Sequence, residues 1–287
     1  MTVKALKKQL AAAIAMVLVS VIALSSSTYA WFASNNRVTA TGMQVAAQTE
    51  GGIEIAYAQA SGTGASYSTS KSTEATAAIT LAPTSTVDTS AWYHARAASS
   101  AASTALKQSY ETLTLTEAPI SGQAMGKTGG VTVGENRTDY YMVQTFNIRS
   151  TSAASLATGL TVDSVSVSGN SESINQALRV AVKLGDNVLI YDPVANDTTH
   201  SYAVYSGYNS ETDAAVKVDD VTCTDKDTPT LLAASASTQV PAKGDGINGG
   251  VDVQIYIYYE GEDAQLYSDN YASEGVTITV NFSATVG

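Results

Sequence analysis

Few stretches of this chain have the residue types and spacing that chemistry requires. Gly122-Gln123-Ala124-Met125-Gly126-Lys127-Thr128 resembles a phosphate loop, but three residues separate its glycines where the motif has four. The next residues have a strand pattern, not that of a helix whose N-terminus would face a phosphate. Gly244-Asp245-Gly246-Ile247-Asn248-Gly249 has the letters of a dinucleotide fingerprint, yet it precedes a strand and reads as a turn. His94 and His200 stand 106 positions apart, with no H-E-x-x-H and no G-x-S-x-G around them. They read as ordinary surface or loop residues, and no catalytic residue is expected. Two acidic groups have oxygens to offer a hard cation such as Ca²⁺. One is Asp219-Asp220 with Asp225 and Asp227, the other Glu260 with Glu262 and Asp263. Neither fits an EF-hand loop, and solvated charge at strand ends is the plainer reading. Cys223 is the single cysteine and reads as a small buried residue or a free thiol.

The whole composition narrows the field further. The chain has 287 residues and a formal charge of −11. An acidic balance disfavours nucleic-acid binding, which needs clustered Lys and Arg. One cysteine excludes an intrachain disulfide framework and a multi-cysteine zinc site. Charged residues are 14% of the chain, while 44% is hydrophobic, too apolar for a wholly disordered protein.

The elements that would position any site are strands. Val276, Ile278, Val280, Phe282, Ala284 and Val286 alternate with polar residues, the period-two pattern of a half-buried strand. Val251, Val253, Ile255 and Ile257 alternate in the same way with Asp252, Gln254, Tyr256 and Tyr258. Further strands are expected at Ile53–Tyr57, Ala78–Ala82, Thr112–Thr116, Tyr140–Arg149, Leu160–Ser168 and Ala177–Leu184. A hairpin turn at Gly185-Asp186-Asn187 then leads into Val188–Tyr191, and weaker patterns lie at Ser201–Tyr205 and Ala214–Val221. Such a series predicts an all-β, jelly-roll-like β-sandwich. One short helix is expected over Ala91–Ala105, capped by Asp88-Thr89-Ser90, and Ser61–Thr76 reads as a long loop. Tyrosine supplies 16 residues against 3 Phe and 2 Trp. Tyr256, Tyr258 and Tyr259 suit either cross-strand packing or an interface.

The N-terminus has the order of a secretory signal peptide. Lys4, Lys7 and Lys8 precede the apolar run Leu10 to Leu24, and Thr28-Tyr29-Ala30 offers small residues for cleavage between Ala30 and Trp31. Removing residues 1–30 takes away three lysines and no acids, so the charge becomes −14. Beyond the cut, Val38 and Ala40 share one phase while Met43, Val45 and Ala47 share the opposite one. The switch at Gly42 implies a bulge, a kink or a chain exit. Residues 31–41 reach about 36 Å when extended, enough to lie along the sheet of another subunit.

The stretch Ser26–Val45 (SSTYAWFASNNRVTATGMQV) resembles the start of the TasA and camelysin-like secreted proteins. The resemblance covers about twenty residues. Tyr140–Ser150, Ala177–Val182 and the last strand are similar in rhythm. It implies cleavage by a SipW-type signal peptidase, membrane contact only before that cleavage, and export to the matrix or surface of a Gram-positive bacterium. It also implies fibres in which each N-terminal segment completes the sheet of the next subunit. On that reading the donor residues are Trp31, Phe32, Val38 and Ala40, the body is 43–287, and the partner is a second copy of the chain. No cofactor is expected, Ca²⁺ being the one candidate ligand. Camelysin's protease label is not carried over, because no zinc motif is present. The alternative is a monomeric surface adhesin with tyrosine-lined loops.

Overall fold

The computed structural model describes residues 38–41, 43–50, 52–58, 65–72, 79–94, 111–121, 123, 125–169, 176–194, 200–209, 211–212, 214–232, 239–243, 249–263, 272–274 and 276–287. Their regular structure is strand. In chain order they are β1 (Val38–Thr41), β2 (Gln44–Glu50), β3 (Ile53–Tyr57), β4 (Ser70–Ser72), β5 (Ile79–Leu81), β6 (Thr84–Thr86) and β7 (Trp92–His94). Next come β8 (Glu111–Leu113), β9 (Thr116–Pro119), β10 (Gly126–Val133), β11 (Asn136–Ser150), β12 (Ala157–Ser168), β13 (Leu178–Leu184) and β14 (Asn187–Tyr191). The last are β15 (Ser201–Asn209), β16 (Ala214–Thr222), β17 (Thr230–Leu231), β18 (Val251–Tyr259), β19 (Ala272–Glu274) and β20 (Thr277–Val286).

Two sheets form the sandwich. The larger runs β14-β13-β18-β11-β5-β1-β19, with β10 and β3 also paired to β11 and β9 paired to β10. The smaller runs β17-β12-β20-β2-β4. Alternation decides which side chains meet between them. Phe146, Ile148, Val180, Val182, Val253, Ile255 and Ile257 come from the larger sheet. Val45, Leu160, Val162, Val165, Ile278, Val280 and Phe282 come from the smaller one, and all belong to one buried cluster. Each such side chain contributes about 1.5–3 kcal/mol by leaving water. The all-β expectation therefore holds.

The opposite phase of the larger sheet is buried as well, which period-two reasoning did not foresee. Tyr141, Val143, Ala181, Tyr256 and Tyr258 form a second core with Trp92, Tyr93, Tyr202, Val204, Val221 and Cys223. The covering layer consists of the β15–β16 hairpin and the β6-β7-β8 sheet. Trp92 is its key: its ring stacks on Tyr141 at 4.4 Å and meets Tyr258 edge-on at 5.2 Å. That explains the first correction. The expected helix over Ala91–Ala105 does not start, because Trp92–His94 pairs with β6 and β8 as a strand. Local alanine propensity is weak against burial of an indole. Residues 95–105 lie outside the described residues. Second, the expected loop Ser61–Thr76 contains β4, which hydrogen-bonds to β2. Third, the single strand expected over Thr112–Thr116 is two, β8 and β9, in different sheets.

Candidate functional site

The phase switch before Met43 coincides with a change of sheet. β1 lies in the larger sheet and β2 in the smaller. Met43, Val45 and Ala47 are fully buried. β1 lies between two neighbours: Val38, Thr39 and Ala40 pair antiparallel with Leu81, Thr80 and Ile79 of β5. Thr39, Ala40 and Thr41 pair in parallel with Ala272, Ser273 and Glu274 of β19. β2 then runs parallel to β20, Gln44 opposite Thr277 through to Glu50 opposite Ser283. The register offset is the same before and after the corner, 272 minus 39 and 277 minus 44, both 233. The two segments thus keep one register in both sheets. In the sequence that offset carries Gly42 onto Gly275, both of which lie outside the described residues. Of the expected donor residues, Val38 and Ala40 are in β1, inside the chain's own sheet. Trp31 and Phe32, like the cleavage pair Ala30 and Trp31, lie outside the described residues.

The acidic residues divide. Asp225 and Asp227 sit in a turn, where the Asp225 carboxylate accepts from the Asp227 N–H at 3.0 Å and from Thr228 Oγ1 at 2.8 Å. Asp219 and Asp220 are exposed on β16, with Lys217 Nζ donating to Asp220 at 2.5 Å. Glu260 and Asp263 are buried instead of solvated, and the plainer reading fails there. The reason is Arg179, whose side chain is also fully buried. Its Nη2 donates to Asp263 Oδ2 at 2.6 Å and its Nη1 lies 3.2 Å from Asp192 Oδ2. Burial opposes its charge, but the Asp192 and Asp263 carboxylates outweigh it and hold the guanidinium pKa above its usual value. His200 Nδ1 lies 3.5 Å from the same Asp192 oxygen, so His200 belongs to this cluster and is not an ordinary loop residue.

Asp192, His200 and Asp263 each bring one ligand-type atom within 4.8 Å of the others. The guanidinium already spans the two carboxylates, so the cation their charge calls for is Arg179. Glu262 is half-buried at the rim, its N–H donating to Glu260 Oε1 at 3.1 Å. Glu260 also accepts from Ser85 Oγ of β6. Burial pushes its pKa up to about 7, against the opposing pull of Ser85 and Arg179. The Ser85–Glu260 pair has the composition of an activated hydroxyl, but both residues are buried. The pair pins β6 to the end of β18.

Arg179, Asp192 and His200 were not foreseen as a cluster. One signal was available: Arg179 is the single charge within the otherwise apolar stretch Ala177–Val182. A buried strand tolerates such a charge only when acids meet it. Cys223 lies beside this cluster, free and buried, and burial raises its pKa to about 12. The tyrosines also resolve: Tyr256, Tyr258 and Tyr259 are buried, with Tyr202 and Tyr258 hydroxyls 3.1 Å apart. No family model, curated protein or solved structure matches this chain.

Proposed function

We propose that this chain is a secreted structural subunit that polymerises head to tail, its N-terminal segment 31–41 entering the larger sheet of the next subunit between β5 and β19. One observation carries the reading: a four-residue strand fills a slot inside one sheet while the chain continues directly into the other sheet. A strand attached so sparingly is exchangeable between copies, and strand addition satisfies the backbone groups on both sides of the slot. The contact is heterologous, so it propagates into a filament and does not close a dimer. Val38 and Ala40 supply the strand, and Trp31 and Phe32 are its leading anchors.

The signal-peptide pattern supports export, with a SipW-type peptidase as the processing partner and the extracellular matrix or surface of a Gram-positive bacterium as the destination. The buried aromatic layer suits a durable particle without disulfides, and no catalytic role is assigned. The burial of Tyr256, Tyr258 and Tyr259 removes these residues as a recognition surface for the adhesin alternative.

Deleting residues 31–41 from the chain that begins at Trp31 tests this function. The truncated protein is expected to remain folded by circular dichroism and to give no filaments in negative-stain electron microscopy. Filaments from the truncated chain would sink the donor assignment.

A further inference from the structure

A strand at the end of a sheet exposes unpaired backbone groups, to which a second copy of the same chain can add. Most end strands here are short. Among the described residues β14 and β3 have five residues, β9 has four, β4, β6, β8 and β19 have three, and β17 has two. The outer side of β14 is also occupied, the Thr224 N–H donating to the Ile190 carbonyl at 2.6 Å. β15 and β16 are the exception, nine residues each in a two-stranded sheet. β15 is the inner strand, with Tyr202 and Val204 buried in the second core. β16 is exposed along its length except at Ala215 and Val221, and among the described residues no strand pairs with its outer side. That side offers about 30 Å of edge at roughly 3.3 Å per residue. Val216 and Val218, 45% and 41% exposed, add apolar area to it.

We propose that β16 is a guarded edge: a bulge at Val218 and the charges of Lys217, Asp219 and Asp220 keep the β16 strands of two copies apart, and a second copy pairs there once the charges are removed. This guard does not depend on strand donation by residues 31–41. The bulge is explicit in the ladder. Val204 lies opposite Asp219 and Tyr205 opposite Lys217, so Val218 is an extra residue on β16. Gly207 then lies opposite Val216, which makes Ser206 an extra residue on β15. Two bulges this close sharpen the local twist and turn the edge away from a straight partner. The bulge also brings charges together. In a regular strand, residues three apart face opposite sides. With Val218 inserted, Lys217 Nζ reaches Asp220 Oδ2 at 2.5 Å. The Asp219 carboxylate accepts from the Asp220 N–H at 2.8 Å, so a side chain holds a backbone donor of the edge strand. A second β16 would have to strip water from all three groups. It would also bring both carboxylates of each copy into one ladder, where like charges side by side are destabilising.

The test removes the charges and leaves the hairpin. In the chain that begins at Trp31, Lys217→Thr, Asp219→Thr and Asp220→Thr together put a good strand former at each position. The variant is expected to keep the wild-type circular dichroism. In sedimentation at matched concentration its weight-average mass is expected to rise about twofold above wild type, as two copies pair. Hydrogen exchange over residues 214–222 is expected to slow in the associated form, because the outer edge is then paired. Lys217→Thr with Asp220→Thr keeps the Asp219 carboxylate in place and is expected to associate in the same way, so it carries the test if the triple variant does not fold. Lys226→Thr with Asp227→Thr removes a surface ion pair outside β16 and is expected to behave as wild type. A folded β16 variant no heavier than wild type would overturn the guard. Association without slower exchange over 214–222, or equal association of the Lys226 and Asp227 control, would overturn it as well.

Discussion

At the residue scale, Glu260 ties pH to stability. Its carboxyl is fully buried, hydrogen-bonded to Ser85 and the Glu262 N–H, and its Oε2 has no hydrogen-bond partner. Arg179 from β13, Tyr202 from β15, Cys223, Tyr258 and Glu262 surround it. The folded pKa is raised from 4.5 to about 7, so the native state holds this proton more tightly than the unfolded chain does. The sign follows from linkage. The contribution is fully present below pH 4.5, declines as pH rises, and is lost above the folded pKa near 7. Its size is roughly 3 kcal/mol at about 1.4 kcal/mol per unit. Glu260→Gln keeps the shape and one hydrogen-bonding oxygen but removes the titration. The substitution is expected to leave the urea midpoint near wild type at pH 5 and to raise it above wild type at pH 8.5. Equal midpoints for the two proteins at pH 8.5 would show that Glu260 carries no strain when ionised. Arg179 has the opposite character. It stays charged throughout, and its worth lies in neutralising Asp192 and Asp263, which would otherwise be buried charges without a counter-ion.

At the element scale, the decisive feature is that the central strands are buried on both faces. β18 shows why this was only half legible. Val253, Ile255 and Ile257 announce an inward face by alternation, and that face is where they are. Tyr256 and Tyr258 occupy the other phase, and a tyrosine there reads equally well as surface or as core. What decides is Trp92, about 160 positions away, brought in by a short strand that its alanine-rich surroundings disguise as helix. Alternation is local information, whereas the third layer is a long-range consequence of packing. The same limit hid the charge cluster, because Arg179, Asp192, His200 and Asp263 come from four separate stretches. The change of sheet between β1 and β2 was legible, since a phase switch is a local signal, but the pairing of β1 with β5 and β19 was not. The covering layer also constrains backbone beneath it. A Cβ on Gly129 of β10 would come within 2.1–2.2 Å of the Tyr141 ring, the ring on which Trp92 stacks. Gly129→Ala is therefore expected to destabilise the fold by about 1–3 kcal/mol, the usual range for overpacking. It should also shift the Trp92 emission to the red relative to the parent as the stack opens. An unchanged urea midpoint and unchanged emission would mean that Tyr141 can move aside freely.

At the scale of the whole molecule, charge opposes the head-to-tail assembly proposed above. The chain that begins at Trp31 carries −14, and every subunit that joins a filament brings the same charge. Like-charged bodies repel over the Debye length, about 30 Å at 0.01 M salt and about 8 Å at 0.15 M. On the head-to-tail reading proposed above, seating a neighbour's strand adds a step that salt does not touch. The two contributions separate in a single series of experiments. Elongation onto preformed seeds is expected to accelerate several-fold from about 0.01 M to about 0.15 M sodium chloride and then to level off, the plateau being the rate of strand seating on that reading. Light scattering with seeds of fixed number measures both regimes. A rate that keeps climbing well beyond about 0.15 M would place repulsion, not strand seating, in control. Calcium chloride at matched ionic strength is the companion measurement. Among the described acids, Asp192 and Asp263 are already engaged by Arg179, and Asp225 is engaged within its own turn. Screening alone therefore predicts the same rate in both salts, whereas a calcium-specific acceleration would require carboxylates that come together only between subunits.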